Sequence, residues 1–184
     1  MSEVSTKITT CKVRFSFCNV FEPRAMQEGQ DKKYSVMLLI PKMGPGLETI
    51  KQMKAAIQAA AQKGVAKFGG KVPPVVSNTL KDADVDTDND GNIFADKWDY
   101  TKGHYIINVS SKLQPPVVGL DRKPIVNPLD FKSGDYGYAC INFFAYNTAG
   151  KKGVSAGLNS LMKAEDGEAL GNTSTPEEDF KNIQ

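Results

Sequence analysis

The stretch "DYGYACINFFAY", residues 135–146, restricts the fold more than any other part of the chain. Read at period two, Gly137, Ala139, Ile141, Phe143 and Ala145 share one face. Tyr136, Tyr138, Cys140, Asn142, Phe144 and Tyr146 share the other. Successive side chains of a strand point to opposite sides of a sheet, so the alternation predicts a strand with two dissimilar faces. An ordinary half-buried strand hides its bulk and shows its polar groups. Here the small side chains gather on one side and most of the rings on the other. We therefore expect the small face to line a tight barrel interior and the rings to look outward. The competing expectation is a second apolar core on the ring side, with a helix packed over it. Tyrosine outnumbers phenylalanine on that side, and each phenol prefers water or a polar partner.

The rest of the chain supplies more strands. "KITTCKVRFSFCNVF" (residues 7–21) alternates, with Cys11, Val13, Phe15 and Phe17 facing one way and Thr10, Lys12, Arg14 and Ser16 the other. "YSVMLLIP" (34–41) is apolar on both sides, which suits a buried strand ended by proline. "GHYIINVSS" (103–111) sets Tyr105, Ile107 and Val109 against His104, Ile106, Asn108 and Ser110. "PPVVGLDRKPIV" (115–126) reads as a short strand pair turning near residues 121–123. A hairpin through "NTAGKKG" leads into "VSAGLNSLM", where Val154, Ala156 and Leu158 alternate. Only once does the period change. Leu47, Ile50, Met53, Ile57, Ala61, Val65 and Phe68 recur every three to four residues, predicting an amphipathic helix stopped by Gly69 and Gly70. Residues 72–99 read as loop. Six or seven strands, one inserted helix and no βαβ rhythm point to an all-β fold, a small antiparallel barrel or strongly bent sheet. Residues 1–162 form the expected domain, and residues 163–184 an acidic, poorly ordered C-terminal tail.

The net charge of +2 conceals a division. Residues 163–184 carry −4, residues 82–99 carry −6, and the remainder carries +12. A basic body attracts phosphate at long range, although lysines scattered over a solvated surface would give the same total. No stretch approaches the roughly 18 apolar residues of a membrane span, and "MSEVSTKITT" has no apolar signal segment. Three cysteines without a C-x-x-C pair offer neither a disulfide framework nor a zinc site. We expect a soluble cytoplasmic protein with reduced thiols.

"DTDNDGNIFADK" (86–97) imitates an EF-hand loop, with aspartates at positions one, three and five and glycine at six. Position twelve is Lys97, where the bidentate glutamate belongs, so an acidic turn is expected instead of a calcium site. His104 is the only histidine and has no recognisable nucleophile motif beside it. No Walker or Rossmann glycine loop occurs. Neither catalysis nor a cofactor nor a bound metal is expected; a metal-dependent nuclease using Asp86, Asp88 and Asp90 is the weakest alternative. The rings carry more weight. Lys12 and Arg14, Lys112, Arg122, Lys123 and Lys132 near strand ends, and Lys151 with Lys152 in the hairpin supply cations around them. Cations that follow a backbone, interleaved with rings that stack on bases, make a device for single-stranded nucleic acid. Duplex readers need a helix or ribbon loaded with groove-reaching residues, and the alanine-rich helix is not one. The main alternative is a protein–protein adaptor whose aromatic face is the contact.

Three stretches, "RFSFCNVFEP", "GHYIINVSSKLQPPVVG" and "SGDYGYACINFFAYNTAGKKGVSAGLNSLMKAEDGEALG", resemble the bacteriophage OB-fold single-stranded DNA-binding proteins over about residues 14–171. The resemblance implies an OB-like barrel with one inserted helix that coats exposed DNA in phage replication, recombination or repair, in the host cytoplasm. It also implies an acidic tail that contacts replication or recombination partners and competes with DNA for the groove. Carried onto this chain, it places Tyr136, Tyr138, Phe144 and Tyr146 on the DNA-facing strand, with Lys151 and Lys152 on the loop that follows. His104, Asn108 and Lys112 fall on a neighbouring strand, Lys12 and Arg14 complete the groove, and Glu177, Glu178, Asp179 and Phe180 form the partner-binding tail. No membrane is implied, and homo-oligomerisation stays open. Two features depart from the family. The aspartate run 82–90 is longer than expected, and the tail continues four residues past Phe180, Lys181 among them.

Overall fold

A computed structural model describes residues 5–25, 28–73, 76–148, 150–170 and 182–183. In chain order its strands are β1 (Lys7–Thr9), β2 (Val13–Arg24), β3 (Lys33–Pro41), β4 (Ser77–Asn78), β5 (Lys81–Asp82), β6 (His104–Ser111), β7 (Val117–Val118), β8 (Tyr136–Thr148) and β9 (Lys151–Glu165). Helix α1 (Pro45–Lys63) lies between β3 and β4, and the single-turn helix α2 (Phe94–Lys97) precedes β6.

Five of these strands close into a ring. β8 pairs with β2, β2 with β3, β3 with β6, β6 with β9, and β9 returns to β8. Every step is antiparallel except β6–β9, which run parallel where Ser110 meets Gly157. Numbered among themselves, these five follow the order 1-2-3-5-4 and back to 1, the Greek-key barrel of the OB fold. β1 extends the β2 side of β8, β4 and β7 join β9 in parallel, and β5 joins β6.

The alternation in residues 136–146 survives intact. Gly137, Ala139, Ile141, Phe143 and Ala145 are all buried in the barrel, whereas the ring face is half-buried or exposed. Val36, Leu38 and Ile40 of β3, Ile107 and Val109 of β6, and Val154, Ala156 and Leu158 of β9 complete the interior. α1 lays Ile50, Met53, Ala56, Ile57, Ala60 and Ala61 onto the same core. Its C-terminus approaches β8 so closely that a β-carbon on Gly64 would collide with the Ala145 side chain. A glycine-ended turn, residues 65–68 closed by Gly69 at φ 82°, then stops the segment.

Four expectations need correction. Leu47 is 56% exposed, because the buried stripe of α1 runs through Gly46, Thr49 and Ile50. Phe17 leaves the core: a bulge between Ser16 and Asn19 sets it at φ 48° and turns it outward, while Ser16 is buried against the Tyr100 hydroxyl at 3.0 Å. The segment 115–126 forms a turn with a single bridge from Val118 to Pro124, and its strand β7 pairs with β9. Finally, β9 runs to Glu165, and Leu170 donates its N–H to the Ser133 carbonyl at 3.2 Å. Residues 177–180, the partner-binding tail of the sequence reading, lie outside the described residues.

β3 is buried on both sides for two reasons. Its inner face meets the barrel core. On its outer face Met37 and Leu39 join Ala83 and Ile106 in a second, smaller cluster covered by Phe94, Trp98 and Tyr100. The loop that reads as irregular in the sequence is thus a lid over one half of the outer sheet. No helix among the described residues is long and apolar enough to cross a membrane.

Candidate nucleic-acid interface

The β8–β9 hairpin closes tightly, with Thr148 opposite Lys151. On its outward face Tyr146 opposes Gly153, Phe144 opposes Ser155, and Asn142 opposes Gly157. The glycines matter here. A β-carbon at 153 would stand 2.7 Å from the Tyr146 hydroxyl oxygen, and one at 157 would stand 3.4 Å from Cε1 of Phe144. Both rings therefore lie across the bare backbone of β9. Phe144 keeps 44% of its surface exposed.

These rings form one wall of an open groove of about 560 Å³, whose remaining lining is Lys33, Thr79, Ser110, Ser111, Lys112, Thr148 and Ser155. Lys151 shares the outward face at the hairpin tip, opposite Thr148. Among the described residues, Lys33, Lys112 and Lys151 have neither an ion pair nor a side-chain hydrogen bond. Asn108 is exposed on the same outer face of β6, one position pair before Ser110. Lys152 points the other way, and its ammonium donates to the Phe68 carbonyl at 3.2 Å. His104 is at the opposite end of β6 from Lys112, about 26 Å away at roughly 3.3 Å per residue. Its Nδ1 lies 2.8 Å from the Lys102 carbonyl.

The other end of the hairpin is closed upon itself. The Arg14 guanidinium lies over the Tyr136 ring, 5.3 Å from its centroid. It donates from Nε to the Gly134 carbonyl at 3.1 Å and from a terminal nitrogen to the Glu168 carbonyl at 2.8 Å. Lys12 pairs with Glu165 at 2.7 Å, and this hydrogen bond and charge raise its pKa. Beneath them Asp135 is fully buried. It accepts the Lys132 N–H at 3.0 Å and the Gly167 N–H at 3.1 Å, and meets the ammonium groups of Lys132 at 2.7 Å and Lys163 at 3.2 Å. Burial alone would raise the pKa of Asp135, but these hydrogen bonds outweigh it and hold the carboxyl below its usual range. Tyr138 is half-buried opposite Met162.

The structure therefore brings Lys112, Phe144 and Tyr146 together in one groove, with Asn108 and Lys151 on the outer faces of β6 and β9. Lys12, Arg14 and Tyr136 instead fasten residues 165–168 to the barrel. Lys33 and Ser111 belong to the groove and were missed. Lys33, Ser35 and Met37 share an outward face of β3, so a period-two reading of that strand finds Lys33. In the acidic loop, Asp88 accepts the N–H groups of Asp90 and Asn92 and pairs with Lys97 at 3.2 Å. The Asn92 backbone bond first, then Lys97 and the Asp90 backbone bond, hold its pKa down against the effect of burial. Lys42 bridges Asp82 and Asp84. Among the described residues no group of three or more His, Cys, Asp or Glu side chains is placed to hold a metal ion.

Known proteins match this arrangement along almost the whole chain. Protein p50 of Acyrthosiphon pisum secondary endosymbiont phage 1 is 28% identical over 169 residues, 89% of this chain and 86% of p50. The single-stranded DNA-binding protein of bacteriophage Enc34, solved in complex with ssDNA, superposes with a TM-score of 0.69 at 24% identity, covering 90% of each chain. A second structure of the same protein gives 0.71 at 21% identity, over 96% of this chain and 90% of the other. The single-stranded DNA-binding protein gp2.5 of bacteriophage T7 gives 0.60 at 16% identity, over 97% and 94%. These likenesses share the fold. Residues 6–184 match the profile of one family, and the chain belongs to it: the ssDNA-binding protein family of Enterobacter phage Enc34.

Proposed function

We propose that this chain binds single-stranded DNA with little regard to sequence, in the groove between Lys33, Lys112 and Lys151, with Phe144 and Tyr146 as its stacking surface. One observation carries the reading: two outward rings rest on glycine backbone beside three lysines that have no ion pair or side-chain hydrogen bond among the described residues. Membership of the family supports the ligand. The position supports it too, since OB folds bind oligonucleotides on the face of their second and third strands, between the loops that join strands one and two and strands four and five. Here those strands are β3 and β6, and the second loop is the β8–β9 tip.

The physics divides the labour. Each stacked base contributes about 1–3 kcal/mol and tolerates any sequence, because every base has a π-face. The lysines neutralise phosphates and release condensed counterions, so affinity falls as salt rises. Serines, Thr79 and Asn108 give the floor hydrogen-bonding capacity without a fixed reading frame. α1 is packed on the barrel and offers nothing to a duplex groove. The protein acts by holding the strand, without catalysis, and this suits protection of exposed DNA during phage replication, recombination or repair inside the host. Residues Glu177, Glu178, Asp179 and Phe180 are the proposed contact for replication or recombination proteins.

Fluorescence anisotropy with labelled oligo-dT and a matched duplex, at two salt concentrations, tests the reading. The single strand binds tightly, the duplex weakly, and high salt or Phe144→Ala with Tyr146→Ala removes most of the affinity. A folded wild type that binds neither DNA overturns it.

A further inference from the structure

Phe17 is in a position that backbone sterics disfavour. At φ 48° it occupies the left-handed region, which a bulky side chain rarely adopts. The bulge that holds it there also leaves the ring 46% exposed. Strained backbone of this kind collects at functional sites, where the surrounding structure enforces it. The enforcement is visible. Phe17 meets Trp98 edge-on at 5.1 Å, Trp98 stacks on Phe94 at 5.8 Å, and both indole and Phe94 rest on the outer cluster of Met37, Leu39, Ala83 and Ile106. The phenyl ring is buttressed from behind and open in front.

The register links this ring to the groove. Asn19 pairs with Ser35, Ser35 with Ser110, Ser110 with Gly157, and Phe144 lies over Gly157. One row of small residues thus crosses the barrel surface, with Phe144 over one end and Asn19 at the other, two residues from Phe17 in the bulge. The row takes four strand steps, about 19 Å at ~4.8 Å each, enough for a few nucleotides. Of the carboxylates near Trp98, Asp88 is paired with Lys97 at 3.2 Å and Asp99 with Lys102 at 2.7 Å, while Asp96 has no ion pair among the described residues. An uncharged phenyl face of this kind suits the π-face of a base rather than a phosphate.

We propose that Phe17, backed by Trp98, is a second base-stacking platform, and that a bound DNA strand crosses the barrel strands from the β8–β9 tip to the β2 bulge. This rests on the DNA-binding reading of the groove and extends it. Phe17→Gly is the informative variant, because glycine accepts φ 48° without strain while the ring is lost. Phe17→Tyr keeps the ring. Full-length variants are titrated with labelled oligo-dT by anisotropy, and emission is followed from Trp98, the chain's single tryptophan. Phe17→Gly should bind about 5- to 150-fold more weakly, the worth of one stacked base, while Phe17→Tyr stays near wild type. Saturating oligo-dT should change Trp98 emission in the wild type. If Phe17→Gly binds as tightly as wild type, the platform is refuted while the groove stands, whether or not Trp98 emission moves. If wild type itself shows no anisotropy change, both readings fall together.

Discussion

The two ends of the β8–β9 hairpin carry the same ingredients and use them in opposite ways. At the Tyr136 end, rings and cations face each other: Arg14 lies on Tyr136, Lys12 holds Glu165, and Lys132 and Lys163 converge on buried Asp135. At the tip, Phe144 and Tyr146 lie on glycines, and Lys33, Lys112 and Lys151 have no protein partner among the described residues. Composition does not separate the two ends. What separates them is the presence of acceptors within reach: carboxylates and free carbonyls from residues 134–135 and 165–168 at one end, only hydroxyls and amides at the other. A cation already satisfied by its own chain has little to offer a phosphate, so the tip is the half left to a ligand.

The largest expected effect breaks the Tyr136 end. Asp135→Ala strips a buried carboxylate from two ammonium groups and should cost about 3–5 kcal/mol of stability by urea unfolding. The oligo-dT affinity of the folded protein should not change; a parallel loss of affinity would erase the contrast. The pH dependence follows with a definite sign. A depressed carboxyl pKa stabilises the fold above the ordinary aspartate value near 4, and the contribution disappears as pH falls through the depressed value. Wild-type stability should therefore drop below about pH 4 more steeply than that of Asp135→Ala.

Next comes the tip. Phe144→Ala should reduce affinity for oligo-dT by about 1–3 kcal/mol with little change in stability. Tyr136→Ala should do the reverse, leaving binding intact and removing the ~0.5–1 kcal/mol of its contact with Arg14 from the fold. Equal binding losses from both would mean that the strand runs the whole length of the hairpin. A smaller effect is read in salt titrations. Each of Lys33→Ala, Lys112→Ala and Lys151→Ala should flatten the slope of log K against log salt by about 0.7, whereas Arg14→Ala should leave it alone. Smallest of all is Gly153→Ala, which touches no ligand. Its β-carbon would crowd the Tyr146 hydroxyl at 2.7 Å and the Ser77 backbone carbonyl at 2.5 Å, so both the ring and β4 must shift, and affinity should fall modestly together with some stability.

Much of this was legible in the sequence where a rule acts locally. Period two assigned the inner and outer faces of residues 136–146, and the apolar run 34–41 announced burial on both sides. The resemblance supplied the barrel and its ligand. What escaped depends on partners far along the chain. Lys12 and Arg14 look like available cations until Glu165 and Glu168 arrive, more than 150 residues later. Phe17 obeys the alternation on paper, but one bulge reverses it, and nothing in "FSFCN" marks that bulge with a glycine. Leu47 fits the helical period yet falls off the buried stripe of α1, which runs through Gly46, Thr49 and Ile50. Lys33 stands at the polar beginning of β3, outside the apolar centre that marks the strand in the sequence.

Closure of the barrel has a consequence for crowding. A long strand that holds many copies side by side raises their local concentration far above that of the free protein. Sheets with long open edges would then zip together, since unpaired N–H and C=O rows are templates for further pairing. In this chain each of the five long strands has neighbours on both sides, and the added strands β1, β4, β5 and β7 are only two or three residues long. The described residues therefore offer one copy little unpaired edge to add to another.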